Sequence, residues 1–389
     1  MNELTPLMAA SLANSVYTLK EKGMEQRFLA LLSKQVTNNF DFDLSNHRIQ
    51  GVSGGFISRL FNRQTGFAAI GIGKASYTGD HVVAIRGTDG LRDVITDLHI
   101  GLTGGESNAL VHAGFNKVFQ SMKPALEQSL TPVLTGSGRG TVHCIGHSLG
   151  GALAHITADW VKRRYKKRVC LYTFGAPRVG FDGFSIKTTG SIDKIFRCTH
   201  AGDPVPLVPL WPFMHAPYKG REILLSSAQG LRASAHSMGE NGTPGYLNTA
   251  NSHSWDALQS QSAELFKATE LQYPDRHQVT FTTYWAHRIN NALITLLKKS
   301  GQLSAIAVQA GAVTFLTFYD LLASSVEKIA KLSAEYANQT LGLLGHMLVF
   351  AGKGGTQVVD LSYRFIRWVF EVTLAALHRL VREAMVFLR

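Results

Sequence analysis

The stretch TVHCIGHSLGGALA, residues 141–154, decides the fold of this chain, because an apolar run leads into a Gly-x-Ser-x-Gly turn and an alanine-rich segment follows. The apolar run predicts a short buried strand, and residues 151–165 predict a helix. A serine between the two lies on a sharp turn, where flanking glycines leave room for the backbone. The sequence therefore predicts that Ser148 is a nucleophile, with the Leu149 N–H as an oxyanion donor and His147 as a structural neighbour.

Strands and helices alternate on both sides of this turn up to about residue 265. The predicted strands are Phe67–Ile72, Val82–Ile85, Thr141–Ile145, Val169–Phe174 and Ile192–His200, and a further helix is predicted at His112–Leu126. This alternation favours a mostly parallel α/β sheet. Near the beginning of the chain, Leu7, Leu12, Val16 and Leu19 have helical spacing, which predicts an amphipathic helix.

A nucleophilic serine needs a base and an acid that orients the base, and the acid is predicted first along the chain. Asp203 lies in the turn AGDPVP, residues 201–206, directly after a predicted strand. The two prolines stiffen that turn and fix its direction. Asp182 and Asp193 are weaker candidates, because neither directly follows a strand.

Three histidines downstream of Asp203 are candidates for the base. His236 is preferred, because it lies in a loop beyond a further predicted strand, Arg221–Leu225, from which it could reach the serine. His253 stays open as the alternative, and His215 is less favoured because it leads into that strand. His200 precedes the acid in the chain and is weaker still.

Six segments, taken in order, resemble the class 3 lipases, the family of the fungal triacylglycerol lipases and related phospholipases. The segments are VVAIRGT (82–88), residues 93–98 with Asp97, VHAGF (111–115), GHSLGGALA (146–154), TFGAPRVG (173–180) and GDPVP (202–206). The resemblance extends over about residues 5–250. It implies an α/β-hydrolase fold for residues 1–265. No metal and no cofactor is predicted from the residues, because Asp and Glu are not clustered as a calcium loop would require.

The resemblance also implies a catalytic site. It comprises a Ser148–His236–Asp203 triad, an oxyanion hole made by the N–H groups of Thr88 and Leu149, and hydrolysis of carboxylic esters of lipids. The segment Gly101–Ala109 is short and polar, with Gly104–Ser107 predicted as an exposed loop. We therefore expect any lid over the site to come from another part of the chain.

Residues 266–389 form a second predicted region, which is helical almost throughout. Gln302–Tyr319 and Tyr336–Gly352 are uncharged, and Val358–Leu388 interleaves apolar residues with arginines. One interpretation is a helical cap packed on the α/β core. Another is a set of helices that cover the site and open onto, or insert into, a bilayer. True membrane spanning is a third and weaker alternative, because polar residues interrupt the first run.

The net charge of +12 and the pI of about 9.6 favour anionic partners. A phospholipid surface fits best, because no nucleic-acid module is recognisable. Cys144, Cys170 and Cys198 lack metal or redox spacing and are predicted to be core thiols. The N-terminal residues lack the pattern of a cleaved signal peptide. We therefore expect a protein that is cytoplasmic in its producer or leaves by a signal-independent route.

The function classes that remain are a lipase or phospholipase and, less favoured, a non-catalytic membrane-binding protein on a hydrolase scaffold. Within the first class, the preferred hypothesis is a bacterial phospholipase effector of a type VI secretion machine, with an immunity protein or a secretion protein as partner. Its grounds are the basic charge, the N-terminus and the apolar C-terminal helices. An ordinary intracellular or surface lipase is the alternative.

Overall fold

A computed structural model gives the architecture of most of the chain. The structure describes residues 2–20, 23–42, 44, 48–50, 66–87, 102–136, 140–209, 212–218, 220, 222–226, 230–239, 245–250, 254–261, 270–303, 306 and 315–384. Thr88, Asp93–Leu98, His253 and most of Gln302–Tyr319 lie outside the described residues. The predictions that concern them stay predictions.

A mixed eight-stranded sheet forms the centre of the molecule. Its strands are β1 (Phe40–Phe42), β2 (Arg48–Gln50), β3 (Gly66–Gly73), β4 (His81–Ile85), β7 (Thr141–His147), β8 (Arg168–Phe174), β9 (Lys194–His200) and β10 (Ile223–Ser226). The order is β1-β3-β4-β7-β8-β9-β10, and β2 also pairs with β3. Neighbouring strands are parallel from β4 through β7, β8 and β9 to β10. Strand β3 is antiparallel to its neighbours β1, β2 and β4. Strands β5 (Leu102–Gly104) and β6 (Leu110–His112) form a separate hairpin.

Helices cover both faces of this sheet. They are α1 (Pro6–Ser15), α2 (Glu25–Leu31), α3 (Lys34–Asn39), α4 (Ala113–Leu134), α5 (Leu149–Tyr165), α6 (Asp182–Ser191), α7 (Tyr246–Thr249), α8 (Trp255–Gln261), α9 (Thr283–Lys299), α10 (Phe315–Ala330), α11 (Ala334–Phe350) and α12 (Tyr363–Ala384). The six strands predicted from the sequence are all present, and each of their ends lies within two residues of its prediction. The mostly parallel α/β class is therefore confirmed.

The central strands are apolar on both faces, which is why they are near-continuous hydrophobic runs. In β4, Val83 and Ile85 belong to the core beneath α4 and α5, whereas Val82 and Ala84 belong to the core beneath α1. Successive side chains in a strand point to opposite faces, so one strand feeds both cores. Burial on two sides fixes the position of β7, and hence of the turn that follows it.

Helix α1 differs from its prediction, because it is buried on nearly every side rather than amphipathic. Only Leu7 among its residues is partly exposed. The helix lies between the sheet and the outer helices α2 and α3, so that both of its faces contact protein. Thr5 caps its N-terminus by accepting a hydrogen bond from the Met8 N–H.

The segment Gly104–Ser107 also differs from its prediction of an exposed loop. It makes the turn between β5 and β6, where Ser107 is buried. Glu106 accepts hydrogen bonds from Gln120 and from Lys123, both on α4. The polar residues of this segment therefore bind a helix instead of facing water only.

The C-terminal helices α9 to α12 pack on one another and on the α/β core. The apolar face of α12, which includes Ile366, Val369, Phe370 and Leu377, is buried. These residues belong to the same hydrophobic cluster as the core beneath α4 and α5. Among the described residues, no helix is long and apolar enough to cross a membrane. The division at residue 265 stays a prediction.

A buried ion pair connects this helical region to the sheet. The Arg197 guanidinium of β9 lies 2.9 Å from Glu222 Oε2, and His287 Nε2 of α9 lies 3.4 Å from Glu222 Oε1. All three side chains are less than a tenth exposed. Burial alone would raise the pKa of Glu222, but His287 and Arg197 outweigh it and hold that pKa well below its usual range.

Replacing Glu222 with glutamine is expected to destabilise the protein by about 3–5 kcal/mol, because the Arg197 charge stays buried without its partner. Chemical denaturation followed by tryptophan fluorescence at neutral pH measures the change. The matched control is Glu270→Gln, which breaks an exposed pair with Lys299 and is expected to cost less than about 1 kcal/mol. Equal free energies of unfolding for the two variants would contradict the prediction.

Candidate active site

The candidate site residues follow the carboxyl ends of neighbouring parallel strands. Ser148 follows β7, Gly175 follows β8, Asp203 follows β9 and His236 lies beyond β10. The carboxyl ends of adjacent parallel strands meet at one edge of a sheet, where α/β proteins form their sites. The strand order therefore brings together residues that are 88 positions apart in the chain.

Ser148 has a strained backbone, with φ of 58° and ψ of −132°. A side chain at Gly146 would place its Cβ 2.1 Å from the Gly150 carbonyl oxygen, so only glycine fits there. Serine before a helix usually caps it, but the Ser148 hydroxyl forms no cap hydrogen bond with α5. Its buried Oγ has no hydrogen-bond partner among the described residues. The hydroxyl is thus held in place without being used structurally.

His236 and Asp203 form a direct pair. His236 lies at the end of a short 3-10 helix, Ala233–His236, and its Nδ1 is 2.8 Å from Asp203 Oδ2. The second carboxylate oxygen accepts a hydrogen bond from the Val205 N–H. His236 Nε2 is buried and has no partner within the described part of the chain. An imidazole that donates from Nδ1 keeps Nε2 available as a proton acceptor.

Tyr246 adds a third hydrogen bond to the same carboxylate. Its hydroxyl donates to Asp203 Oδ2 over 2.6 Å and accepts from the His200 N–H over 3.0 Å. Burial, and then the neighbouring Asp203, raise the pKa of Tyr246 well above its usual value. Tyr246 therefore stays protonated and donates. Tyr246 was not among the site residues predicted from the sequence, although it follows His236 by only ten residues.

The dipeptide Phe174–Gly175 links the serine to the His–Asp pair. The Ser148 N–H donates to the Phe174 carbonyl over 3.0 Å. A Cβ on Gly175 would lie 2.6 Å from Asp203 Oδ2 and 3.0 Å from His236 Nδ1. The histidine and the carboxylate therefore lie directly beside the backbone that holds the serine. Gly175 is a second site residue that was not predicted from the sequence, although it lies in the segment TFGAPRVG.

Gly175→Ala is expected to lower kcat by about 100-fold, because its φ of +54° disfavours alanine and the new Cβ displaces the His236–Asp203 pair. Steady-state hydrolysis of a chromogenic ester measures the loss. Gly183→Ala is the matched control, since a Cβ there meets nothing within 4 Å. If Gly175→Ala kept most of the parent rate, the close approach would have no catalytic importance.

The other histidines have structural contacts. His147 Nε2 donates to the His236 carbonyl over 2.9 Å, and His147 Nδ1 accepts from the Tyr17 hydroxyl over 2.8 Å. Burial, and then the nearby His236, hold the pKa of His147 well below its usual value, so it stays neutral. His200 Nδ1 donates to the Ala235 carbonyl, and His215 Nε2 donates to the Pro206 carbonyl. Burial also lowers the pKa of both.

The two alternative acids, Asp182 and Asp193, bind other groups. Asp182 accepts from the Gly183 N–H at the beginning of α6. Asp193 binds the Lys162 ammonium over 2.6 Å and the Val169 N–H over 2.9 Å. Neither of these carboxylates has His236 as a partner in the described structure.

The structure describes one of the two predicted oxyanion donors, the Leu149 N–H. Leu149 is the first residue of α5, where a backbone N–H has no acceptor within its own helix. Thr88 lies outside the described residues, so its role stays a prediction. The residue before it, Gly87, would place a Cβ 2.9 Å from the His147 carbonyl oxygen. The chain that leads to Thr88 therefore passes beside the serine turn.

The candidate site is closed to solvent. Ser148, Asp203 and His236 are each 0% exposed. Helix α12 packs against the 3-10 helix that carries His236, and α9 and α12 pack against the turn Val205–Leu207. In the described part of the chain, no cluster of three or more His, Cys, Asp or Glu side chains could hold a metal ion. The three described cysteines are free and buried in the core.

A parallel-centred sheet of this order, with a strained serine between β7 and α5, defines an α/β-hydrolase. Residues 82–213 match the sequence profile described as "Lipase (class 3)". The match confirms the predicted resemblance to the class 3 lipases over this segment.

Known proteins of this kind match about a third of the chain. The secreted mono- and diacylglycerol lipase 1 of Fusarium solani is 32% identical over 130 residues, which are 33% of this chain and 39% of that protein. The chloroplastic phospholipase A(1) DAD1 of Arabidopsis thaliana is 29% identical over 150 residues, which are 33% of this chain and 34% of that protein. The chain thus spans less than half the length of these relatives. The solved triacylglyceride lipase of Rhizomucor miehei has a TM-score of 0.42 and 21% identity, covering 57% of this chain and 78% of that one.

Proposed function

We propose that this protein hydrolyses carboxylic esters of lipids with Ser148 as nucleophile, His236 as base and Asp203 as the acid that orients the base. The observation that carries the proposal is the His236–Asp203 hydrogen bond beside a strained serine whose hydroxyl is unused. These are the three groups that acyl transfer to serine needs. The match to class 3 lipases supports the same reaction.

The proposed reaction has two stages. Ser148 Oγ attacks the ester carbonyl while its proton passes to His236 Nε2, and the Leu149 N–H stabilises the oxyanion together with that of Thr88. His236 then gives the proton to the departing alcohol, which leaves an acyl group on Ser148. Water attacks the acyl-enzyme with His236 as base, and the fatty acid leaves. Asp203, held by Val205 and Tyr246, keeps the imidazole oriented throughout.

A fluorophosphonate probe tests the nucleophile directly. The intact protein is expected to form one adduct, and mass spectrometry of its peptides should find it on Ser148. Ser148→Ala should not react, whereas the control Ser260→Ala, which changes an exposed serine on α8, should react like the parent. Failure of the folded parent to react even with phosphatidylglycerol vesicles present to open the site would refute the proposed mechanism and leave a non-catalytic lipid-binding protein as the alternative.

The proposed site of action is a membrane surface. The net charge of +12 attracts anionic phospholipids, and the closed site requires a structural opening before a lipid can reach Ser148. Helix α12 is the proposed moving element, because it packs on the turn that carries His236. With phosphatidylglycerol vesicles, turnover is expected to exceed that with a dissolved short-chain ester by about tenfold or more. Equal rates on both substrates would count against this opening.

Phospholipids are the proposed substrates, in preference to neutral acylglycerols. A mass-spectrometric profile of lipids consumed from mixed bacterial membranes decides between the two classes. The further hypothesis of a secreted antibacterial effector predicts growth arrest when the parent is directed to the periplasm, and no arrest with Ser148→Ala. Normal growth with the parent would exclude that role and favour an ordinary lipase.

A further inference from the structure

A groove lies at the end of the sheet opposite to Ser148. It is about 560 Å³ in volume, and its walls include Gly136 after α4, Gly140 before β7 and the segment Arg164–Arg168. That segment joins the end of α5 to the beginning of β8. Since α5 has 17 residues and Ser148 lies before its first turn, the groove is about 25 Å from the serine. It is therefore separate from the candidate active site.

The groove is lined with positive charge. Arg164, Lys166 and Arg168 are exposed, Lys167 is half-buried, and none of the described lining residues is acidic. The described structure holds no ion pair of Arg164, Lys166 or Arg168. By contrast, the preceding residues Lys162 and Arg163 are paired with carboxylates. Within the described structure, Arg164, Lys166 and Arg168 are thus the cations of the groove without an ion-pair partner.

The helix dipole explains only part of this cluster. Cations in the last turn of a helix are favoured by its negative end, which accounts for Arg164. Lys167 and Arg168 lie beyond the helix, where that attraction has fallen off. Lys166 has a φ of +57°, a left-handed conformation that glycine adopts at lower energy. A lysine there adds charge to the groove at a conformational cost.

The two walls of the groove are connected. Lys167 Nζ donates a hydrogen bond to the Gly136 carbonyl over 2.8 Å, which ties the cationic segment to the end of α4. Tyr165 is buried, and its hydroxyl lies 2.8 Å from Thr131 Oγ1 of α4. These contacts anchor the backbone of the segment between the exposed cations. The positive charges therefore lie on a fixed support, which lowers the entropic cost of binding.

We propose that this groove binds a soluble ligand that carries two or more phosphate groups. Its volume falls within the range of small-molecule sites, and multivalent phosphate offers the charge that closely spaced cations can neutralise. A lipid headgroup shares this chemistry. However, a bilayer in contact with the groove would leave Ser148 at the far end of α5, pointing away from that bilayer. The position favours a dissolved anion over the lipid surface.

Titration calorimetry with inorganic tripolyphosphate at low ionic strength tests the proposal. The parent is expected to bind one equivalent, and the double variant Arg164→Gln/Arg168→Gln is expected to bind at least about tenfold more weakly. The matched control is Lys353→Gln/Arg379→Gln, which removes two exposed cations elsewhere and should bind like the parent. Thermal unfolding of all three proteins verifies that they are folded.

A second arm separates the two sources of phosphate. Sedimentation with phosphatidylglycerol vesicles should decrease to the same extent in the groove variant and in the control. If the parent did not bind tripolyphosphate, or if the two variants weakened its binding equally, the groove would not be a specific site. If only the groove variant lost vesicle binding while tripolyphosphate was not bound, a lipid surface would be the ligand and the proposal would be overturned.

Discussion

Ser148→Ala is expected to lower kcat for ester hydrolysis by about 10⁴- to 10⁶-fold, because acyl transfer loses its nucleophile. The substitution removes one buried oxygen that has no hydrogen-bond partner among the described residues, so little stability should be lost with it. Hydrolysis of a chromogenic ester and of phosphatidylglycerol, measured side by side, gives the loss for both substrates.

The control for this experiment is Ser260→Ala, which should keep the parent kcat and melting temperature. Equal losses on both esters would show that one serine serves both reactions. A Ser148→Ala protein that retained more than about a hundredth of the parent kcat would contradict the assignment, because the residual rate without a triad member is far lower.

His236→Ala is expected to lower kcat by about 10⁴-fold, since Ser148 then has no base and Asp203 loses its partner. In the proposed mechanism the imidazole passes the serine proton while the carboxylate orients it: its Nδ1 is 2.8 Å from Asp203 Oδ2, and its Nε2 has no hydrogen-bond partner among the described residues. Steady-state kinetics across neutral pH measure the effect.

His253→Ala is the comparison, because the sequence left His253 open as the base. It should retain the parent kcat within about threefold, the usual range for a residue outside the chemistry. The opposite result, with near-full activity in His236→Ala and a large loss in His253→Ala, would overturn the choice of base. A fluorophosphonate reaction slowed in His236→Ala but complete in His253→Ala would support it independently of substrate.

Local sequence determined the parts of the fold that depend on neighbouring residues. The short apolar runs indicated β3, β4, β7, β8 and β9, and the glycines around Ser148 indicated the sharp turn. Such signals are readable because a strand's two faces and a turn's steric limits act over a few positions. The Asp203 turn was readable for the same reason, since it directly follows β9.

Tertiary structure decided what depends on distant contacts. Which histidine meets Asp203 follows from the pairing of β9 with β10, and Tyr246 reaches the same carboxylate across 43 residues. The burial of α1 on nearly every side likewise depends on distant contacts. Helices α2 and α3 cover the face of α1 that points away from the sheet, which its own sequence could not predict. The sequence could also not determine that α12 covers the turn of His236.

The sequence by itself therefore determined the nucleophile turn, the alternation of strands and helices along the chain, and the charge of the segment Arg164–Arg168. Only the tertiary structure decided that His236 and Tyr246 bind Asp203, that Ser148, Asp203 and His236 are buried, and that the cationic segment lines a groove at the opposite end of α5. The physical reason is that local patterns encode periodicity and sterics, whereas convergence and burial arise from packing between elements far apart in the chain.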